Sequence, residues 1–458
     1  MLKRFTAFFL LCVMLLALMP MQTQAASSFV GYPSVFVTED NYRISFLTNT
    51  NGMAWVEIGG VAYEDTTCGI MDWETKFHGI TVPQSVLNAA KSYTICFRPL
   101  ASRPANNPAP GTKETKTYSF NPVLPGEDPV LLCVSDQHNN NSGAVAVAKY
   151  AAFDALVFGG DYTGHISTEA IAQDFLKYSG NIAKGTKPVI YPRGNHEIRG
   201  QYTHWVDEVM PTSETGKSYY EFVMGDIYGI VLDCGGSYTD NYTDIADTID
   251  FEPYRVEQTR WLEKVYAKGT WRQYDKRIIV SHVPFITQAN FTDVFTDWTK
   301  ILNKMDMSLL VSGHTHNFTF YGTTHSSVKT GPNFPAFTMT AYKKDPYTYT
   351  GGFLTLGDQS FTIQQVDSAS LAVKSTHTVT NKTYGITGEP ITEFVTARAD
   401  LLAPVVSTGS ASVPSVSSPF SAHPTVFIVE DNYEISFLTT GNGMGWVEIG
   451  GKKYKDST

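Results

Sequence analysis

Seven residues that can bind metal ions are spread along the middle of this chain in five short blocks. The blocks are Asp136-Gln137-His138, Gly160-Asp161, Gly194-Asn195-His196-Glu197, Ser281-His282 and Gly313-His314-Thr315-His316. Carboxylate and amide oxygens, together with imidazole nitrogens, form a mixed donor set that suits transition metals. Residues two apart in extended backbone point to the same side, so the Asp-x-His and His-x-His pairs can each address one cavity. The predicted ligands are Asp136, His138, Asp161, Asn195, His282, His314 and His316.

Each block follows a short apolar run that is typical of a buried strand. The runs are 129–135, 155–158, 188–191, 277–280 and 308–311, and they are rich in Val, Ile and Leu. Continuous apolarity fits strands that helices cover on both faces. Helical patterns at 168–178 and 256–268 separate the runs, and a hairpin is predicted at 219–233. We therefore expect an α/β domain whose functional site lies at the carboxyl ends of its strands.

Histidines outside the blocks are weaker evidence for a metal site than the blocks themselves. Those interpreted as surface or hydrogen-bonded structural residues are His78, His204, His325, His377 and His423. For His165, directly after the second block, a structural role and a place in the site both stay open.

In order and spacing, the five blocks resemble the signature of the calcineurin-like metallophosphoesterases over about residues 130–320. The resemblance implies a four-layer α/β/β/α sandwich and a centre of two divalent or trivalent ions of manganese, zinc or iron. One ion is expected to bind Asp136, His138 and His316, and the other Asn195, His282 and His314. The resemblance makes Asp161 the bridge between the ions and directs His196 towards the substrate.

The activity that this resemblance implies is hydrolysis of phosphate esters by a hydroxide that bridges the two metals. Monoesters and diesters stay open as substrates. His196 is expected to donate a proton to the leaving group, with Glu197 orienting its ring. Arg193 and Arg199 flank the third block and are interpreted either as a phosphate clamp or as surface charges.

Two differences from known subfamilies restrict the subfamily to which this chain can be assigned. Protein Ser/Thr phosphatases share the third block but lack a final Gly-His-x-His. Purple acid phosphatases have a tyrosine ligand three residues after the Gly-Asp aspartate, where this chain has Gly164, so a tyrosine-to-iron colour is not expected. The strand-rich N-terminal segment nevertheless looks like the fibronectin-type module that precedes many purple acid phosphatases.

Residues 1–26 have the features of a signal peptide. Lys3 and Arg4 precede an apolar run that ends near Met19, and small residues follow at 25–28. The run is short for a membrane span, which makes an uncleaved anchor the weaker alternative. We expect a secreted or extracytoplasmic protein without a membrane span after cleavage.

The rest of the chain divides into four parts. We expect a fibronectin-like β-sandwich, the N-terminal module, at 27–122 and the catalytic domain at 129–400. A Ser/Pro-rich linker at 401–421 and a partial second copy of the module at 422–458 follow. The evidence for the copy is that 33–67 recurs without a gap as 424–458. The copy is interpreted either as the leading part of a longer tandem protein or as a truncated gene product.

Charge and cysteine usage restrict the partners. A formal net charge of −10 without a basic cluster argues against nucleic acid as the main partner and suits small phosphate esters. Cys133 and Cys234 are predicted to be buried thiols, whereas a disulfide between Cys68 and Cys96 stays open. The alternative to an enzyme is a cell-surface or polymer-binding protein that uses its sandwich modules and carries an auxiliary phosphoesterase domain.

Overall fold

The computed structural model describes most of the chain between residues 27 and 455. Described are 27–382, apart from 68, 103–108, 243–244 and 246–247, and then 424–429, 432–439, 445–449 and 452–455. The predicted signal peptide, the linker and the last part of the predicted catalytic domain, 383–400, lie outside these residues. None of the helices within the described ranges is long and apolar enough to span a membrane.

The N-terminal region consists of strands and one short helix. In chain order the elements are β1 (Phe29–Thr38), β2 (Asn41–Thr48), β3 (Gly52–Ile58), β4 (Val61–Tyr63), β5 (Thr66–Thr67), β6 (Ile70–Met71), β7 (Phe77–Pro83), α1 (Gln84–Ala90), β8 (Ser92–Ser102), β9 (Ala109–Pro110) and β10 (Glu114–Ser119). Strands β10, β8, β3 and β4 form one sheet in that order, and β9 pairs with β8. Buried residues alternate with less buried ones along β3, which is typical of a strand with one face on a core.

The region from 130 to 380 contains the α/β elements. They are β11 (Val130–Val134), α2 (Ser142–Val147), β12 (Ala155–Phe158), α3 (Glu169–Ala183), β13 (Pro188–Ile190), α4 (His204–Asp207), β14 (Tyr220–Met224), β15 (Ile227–Leu232), α5 (Phe251–Lys268), β16 (Lys276–Ser281), α6 (Thr292–Lys304), β17 (Leu309–Ser312), β18 (Phe320–Tyr321), β19 (Ala336–Thr338), β20 (Tyr342–Lys343), β21 (Thr348–Leu356), β22 (Ser360–Asp367) and β23 (Val373–Thr380). Short 3-10 helices lie at Thr270–Gln273 and Phe285–Thr287.

Two large sheets pack face to face between helices. One follows the order β23-β22-β21-β11-β12-β13-β1-β2-β7, and the other follows β14-β15-β16-β17-β19-β18. Alternate residues of a strand face opposite ways. Cys133 of β11 and Val280 of β16 therefore meet in the core between the sheets, whereas Leu132 packs beneath α3 and Ile279 beneath α5 and α6. The predicted four-layer α/β/β/α sandwich is confirmed.

The N-terminal module and the catalytic domain share a sheet. Strand β1 pairs in parallel with β13, with Val35 opposite Pro188 and Phe36 opposite Val189. The ring of Phe36 also stacks on Phe175 of α3, with centroids 5.4 Å apart. The predicted division of the chain between 122 and 129 stays a prediction, but the main sheet runs across it.

The second copy of the repeat forms the same local hairpins as the first. Its strands are β24 (Thr425–Val429), β25 (Asn432–Ser436), β26 (Trp446–Ile449) and β27 (Lys452–Lys455), paired two by two. Phe427 lies opposite Glu434, just as Phe36 lies opposite Arg43 in the first copy. Burial differs: Phe36 is 0% exposed and Phe427 is 50% exposed. The repeat therefore encodes the hairpins, whereas burial depends on the neighbours of each copy.

Two of the cysteine predictions can be compared with the structure. Cys133 and Cys234 are buried free thiols, as predicted. Cys96 is likewise a buried free thiol, and Cys68 lies outside the described residues.

Candidate metal centre

The seven predicted ligands meet where the carboxyl ends of the two sheets adjoin. Strands β11, β12 and β13 lead into Asp136, Asp161 and Asn195, and strands β16 and β17 lead into His282 and His314. The centre thus draws on both sheets. These side chains therefore lie at the carboxyl ends of the strands, which is where a functional site is expected in this fold class.

The first group of possible metal ligands is Asp136, His138 and His316. Their ligand atoms lie within 4.8 Å of one another. The Nε2 atoms of His138 and His316 are 2.8 Å apart, and the Nε2 of His316 lies 3.5 Å from Oδ1 of Asp136. Two imidazole nitrogens and one carboxylate oxygen that converge in this way form a donor set that fits one divalent ion.

The second group is Asp161, His282 and His314, whose ligand atoms also lie within 4.8 Å of one another. Oδ2 of Asp161 is 3.0 Å from Nε2 of His282. Asn195 joins this group because its Oδ1 lies 2.8 Å from Nδ1 of His314. All members of both groups belong to the five sequence blocks.

His282 provides a direct test of whether the second group fits a metal. Its Nδ1 lies 2.7 Å from the carbonyl oxygen of Gly159, so Nδ1–H donates to that carbonyl and Nε2 faces the centre. This Nε2 is buried; it lies 3.0 Å from Oδ2 of Asp161 but makes no hydrogen bond of regular geometry within the described structure. A buried imidazole that is oriented through its other nitrogen is the usual arrangement of a metal-binding histidine. The residues present therefore fit the metal that the donor set predicts.

The backbone at the centre is held in an unusual conformation. Five of the seven predicted ligands have φ values between 44° and 70°: Asp136, His138, Asp161, His314 and His316. For residues with a Cβ, this left-handed region costs about 1–2 kcal/mol per residue. Such conformations cluster at functional sites because the surrounding structure compensates for the cost.

The carboxyl groups and imidazoles of the centre shift one another's pKa values. Burial opposes ionisation of Asp161, but the neighbouring His282 holds the pKa of this carboxyl below its usual range. Burial likewise opposes the charge on His282, but Asp161 raises the pKa of this imidazole to about 10. For His314, burial and the nearby His282 lower the pKa to about 4. The carboxylates and histidines are thus arranged as partners for positive charge.

His196 lies beside the two groups without belonging to either. Its backbone N–H donates to Oδ1 of Asp161 at 2.9 Å, and its Nε2 lies 3.8 Å from Oδ2 of the same residue. Its Nδ1 lies 2.7 Å from the carbonyl oxygen of Gly164 and donates to it, which directs Nε2 towards the centre. Burial lowers the pKa of this imidazole.

The residue expected to orient His196 does something else. Glu197 accepts hydrogen bonds from the backbone N–H groups of Asp161 and Tyr162, at 3.0 and 2.8 Å, so both of its oxygens are bonded to backbone. The carbonyl oxygen of Gly164 takes the orienting role instead. The expectation that Glu197 orients His196 is therefore wrong. The spacing of the motif could not indicate this, because it contains no information about hydrogen bonds to backbone.

The two arginines predicted to clamp phosphate have different surroundings. Arg193 binds Asp233, with Nη2 at 2.8 Å from Oδ2, and its Nη1 lies 3.3 Å from Asp207. Its guanidinium is therefore occupied by carboxylates. Arg199 has a buried Nε for which the described residues provide no hydrogen-bond partner, and its charge contributes to the lowered pKa of His196. Arg199 is the member of the pair that remains a candidate for phosphate.

Two further rings lie at the edge of the centre. Tyr342 has its ring centroid 5.4 Å from the rings of both His138 and His316, and nothing in the sequence blocks pointed to it. His165, whose role stayed open, lies 6.2 Å from His196 between ring centroids. Tyr342 follows the last block by many residues and is brought back by the pairing of β20 with β21.

Comparison with known proteins agrees with this geometry. Residues 129–318 match the family model of the calcineurin-like phosphoesterases. The chain is similar to the probable purple acid phosphatase 20 of Arabidopsis thaliana, with 22% identity over 311 residues that cover 62% of this chain and 66% of the relative. The chain therefore spans just under two thirds of the length of that relative.

The solved structures that resemble it include phosphatases. Purple acid phosphatase PPD1 from yellow lupin (Lupinus luteus) seeds matches with a TM-score of 0.51 at 13% identity, covering 84% of this chain and 78% of that chain. A structure of PhoD matches with a TM-score of 0.44 at 11% identity, covering 78% of this chain and 94% of that chain. The first of these matches supports the fold described above.

Fold and site together define the class of a metallophosphoesterase, in which two packed sheets hold metal-type ligands at their joined strand ends. The match to the calcineurin-like phosphoesterase family covers residues 129–318 of this chain. This is a family of metal-dependent hydrolases of phosphoric esters. The strand-rich region that ends at β10 precedes the domain.

Proposed function

We propose that this chain is an exported enzyme that hydrolyses small phosphate esters with two divalent metal ions. The observation that carries the proposal is the pair of adjacent ligand groups, Asp136/His138/His316 and Asp161/His282/His314, each compact enough for one ion. Asn195 completes the second group through its contact with His314. Asp161 would bridge the ions.

The position of Asp161 supports its role as the bridge. Its Oδ2 contacts His282 of the second group. Its backbone carbonyl accepts a hydrogen bond from the N–H of His138, a member of the first group, at 3.2 Å. One residue therefore contacts both groups.

Two bound divalent ions would polarise the phosphoryl oxygens and lower the pKa of water towards neutrality. The protein residues would supply the remaining functions. The Nδ1–H bond of His196 to Gly164 fixes the ring, so that Nε2–H can deliver a proton to the leaving oxygen. Arg199, with its unpartnered Nε within the described structure, would bind a phosphate oxygen.

Export is the part of the proposal that rests on sequence alone. The segment 1–26 has the charged, apolar and small-residue pattern of a cleaved signal peptide, and it lies outside the described residues. Expression in a bacterium with a general secretion pathway, followed by N-terminal sequencing, tests this. A mature N-terminus near residue 27 in the exported fraction is expected, and retention of an intact N-terminus in the membrane contradicts it.

The activity is tested on the metal-loaded protein. We expect turnover of p-nitrophenyl phosphate, bis(p-nitrophenyl) phosphate or both with manganese, zinc or ferrous iron, and the ratio of the rates assigns the ester class. Asp161→Asn keeps the side-chain volume but loses the charge, and should reduce the rate at least about 100-fold. Asp293→Asn, at an exposed position on α6, is the matched control and should retain full activity.

Two results would contradict the proposal. Full activity of the Asp161→Asn variant would exclude the metal mechanism. Failure of the metal-loaded protein to hydrolyse any ester would favour the alternative of a binding protein with an auxiliary phosphoesterase domain.

A further inference from the structure

Glu197 has no place among the proposed ligands, yet it is one of the most deeply buried carboxyl groups near the centre, with 2% of its surface exposed. We propose that Glu197 is a positioning residue that sets the geometry of the metal centre by holding the backbone of Asp161. The inference rests on the proposed function in so far as Asp161 is a metal ligand.

The contacts of Glu197 are specific to the ligand loop. Oε2 accepts from the N–H of Asp161 at 3.0 Å, and Oε1 accepts from the N–H of Tyr162 at 2.8 Å. Asp161 has a φ of 55°. A left-handed residue turns successive N–H groups to one side, where they can bind a single anionic group. The two oxygens of the Glu197 carboxyl group accept from these N–H groups and thereby stabilise the strained conformation of the ligand. The same hydrogen bonds partly offset burial and the nearby Asp161, which raise the pKa of this carboxyl to about 8.

Asp161 is held twice by neighbouring residues of the third block. Glu197 binds its backbone, and the N–H of His196 binds Oδ1 of its side chain at 2.9 Å. These contacts leave Oδ2 directed at His282. Groups that orient a ligand in this way change metal affinity or activity by about 10–100-fold when they are replaced.

The close packing around Glu197 requires the side chain to keep its place. A Cβ at Gly194 would overlap both Oε2 of Glu197 and the backbone nitrogen of Asp161, so the absence of a side chain at 194 lets these groups meet. Each N–H bonds to a different oxygen of Glu197, so this geometry requires a side chain with two acceptor oxygens. Glutamine offers one oxygen and one NH₂, and an unsatisfied buried N–H costs about 1–3 kcal/mol.

The test compares metal binding in Glu197→Gln and Glu221→Gln. Glu221 is the matched control because its side chain is also mostly buried, at 12% exposed, but lies on β14 and binds Tyr228 and Lys268. Metal affinity is measured on the purified full-length protein by chelator competition and metal analysis, the melting temperature on the metal-free protein, and kcat and KM with p-nitrophenyl phosphate.

For Glu197→Gln we expect metal affinity to fall about 10–100-fold. We also expect kcat to fall and excess metal to restore part of the rate, while KM at saturating metal stays near that of the wild type. Glu221→Gln should keep wild-type metal affinity. Wild-type metal affinity in Glu197→Gln overturns the inference, as does an equal loss of affinity in both variants.

A second variant guards against misfolding. Glu197→Asp keeps two acceptor oxygens but withdraws them by one carbon, and we expect about a tenfold loss of metal affinity. A folded Glu197→Asp protein with wild-type affinity overturns the inference. If the wild-type protein binds two metals and hydrolyses no ester, the proposed function fails while the metal affinities still decide the role of Glu197.

Discussion

Oδ2 of Asp161 lies 3.0 Å from Nε2 of His282, and this contact joins the two large sheets at the centre. Asp161 follows β12 of the longer sheet, and His282 follows β16 of the other. Both side chains are about 1% exposed. The two side chains form a buried ion pair, in agreement with the lowered pKa of Asp161 and the raised pKa of His282.

This contact predicts energetic coupling between Asp161 and His282. Replacing one partner leaves the other buried without its counter-charge, whereas replacing both removes the pair. In a cycle of Asp161→Asn, His282→Gln and the double variant, we expect a coupling of about 1–3 kcal/mol in urea unfolding of the metal-free protein. Strictly additive losses would show that the two charges do not interact.

The placement of His196 predicts a variant that binds metal but reacts slowly. His196→Ala should keep wild-type metal content and lose about 10²–10⁴-fold in kcat, with the largest loss for alkyl esters, whose leaving groups need a proton. Since burial lowers the pKa of His196 below its ordinary value of about 6.5 and the acid must be protonated, hydrolysis of alkyl esters should already decline as pH rises through the range below about 6.5. The exposed His204→Gln is the control, and a loss of metal from His196→Ala would contradict this role.

The different surroundings of Arg193 and Arg199 predict different defects. Arg193→Ala leaves Asp233 buried without its partner and should lower the free energy of unfolding by about 3–5 kcal/mol. Arg199→Ala should leave stability nearly unchanged and raise KM at least about tenfold, since a hydrogen bond between charged groups contributes about 1.5–3 kcal/mol. Urea unfolding and steady-state kinetics separate the two, and a KM effect of Arg193→Ala without destabilisation would reverse the assignment.

His78 predicts a component of acid sensitivity. Burial lowers its pKa to about 3, whereas an unfolded histidine titrates near about 6.5. Between these values the unfolded state binds a proton that the folded state does not, so stability falls as pH decreases through this window. At pH 5 the loss is about 2 kcal/mol. The free energy of unfolding, measured with urea, is compared at pH 7 and pH 5. His78→Gln should remove this loss at pH 5, whereas the exposed His204→Gln should not. An unchanged pH dependence in His78→Gln would exclude this origin.

The repeat provides a matched pair of phenylalanines. Phe36 is buried against Phe175, whereas Phe427, its equivalent in the second copy, is half exposed. Phe36→Ala should destabilise the protein by about 3–5 kcal/mol, and Phe427→Ala by less than about 0.5 kcal/mol. Thermal unfolding measures both. Equal effects would show that both copies are buried in solution.

Much of the centre could be predicted from sequence because each ligand block lies within a few residues of the end of an apolar strand. The five predicted strands are all present, and β12 has the predicted bounds. Helix α3 extends beyond its predicted end to Ala183, where Lys184 adopts the left-handed conformation that ends it. The predicted interpretation of His78 as a hydrogen-bonded residue also agrees with its contact to Thr48.

Long-range contacts were beyond the reach of sequence patterns. Val35 and Pro188 are far apart in sequence, and nothing local to β1 indicates that it pairs with β13. Arg193 and Arg199 look alike as neighbours of one motif, and only the carboxylates around Arg193 distinguish them. The hydrogen bonds of Glu197 to backbone are invisible for the same reason, since any residue supplies an N–H.

The pairing of β1 with β13 has a consequence for how this architecture can be inherited. Duplication of 33–67 reproduces the hairpins and their register but, among the described residues, gives the second copy no counterpart of β13. A transplant of the module into another protein would need to carry the strand Pro188–Ile190 and helix α3 with it. Recombination between relatives should therefore keep paired strands such as β1 and β13 together, even where an apparent domain border lies between them.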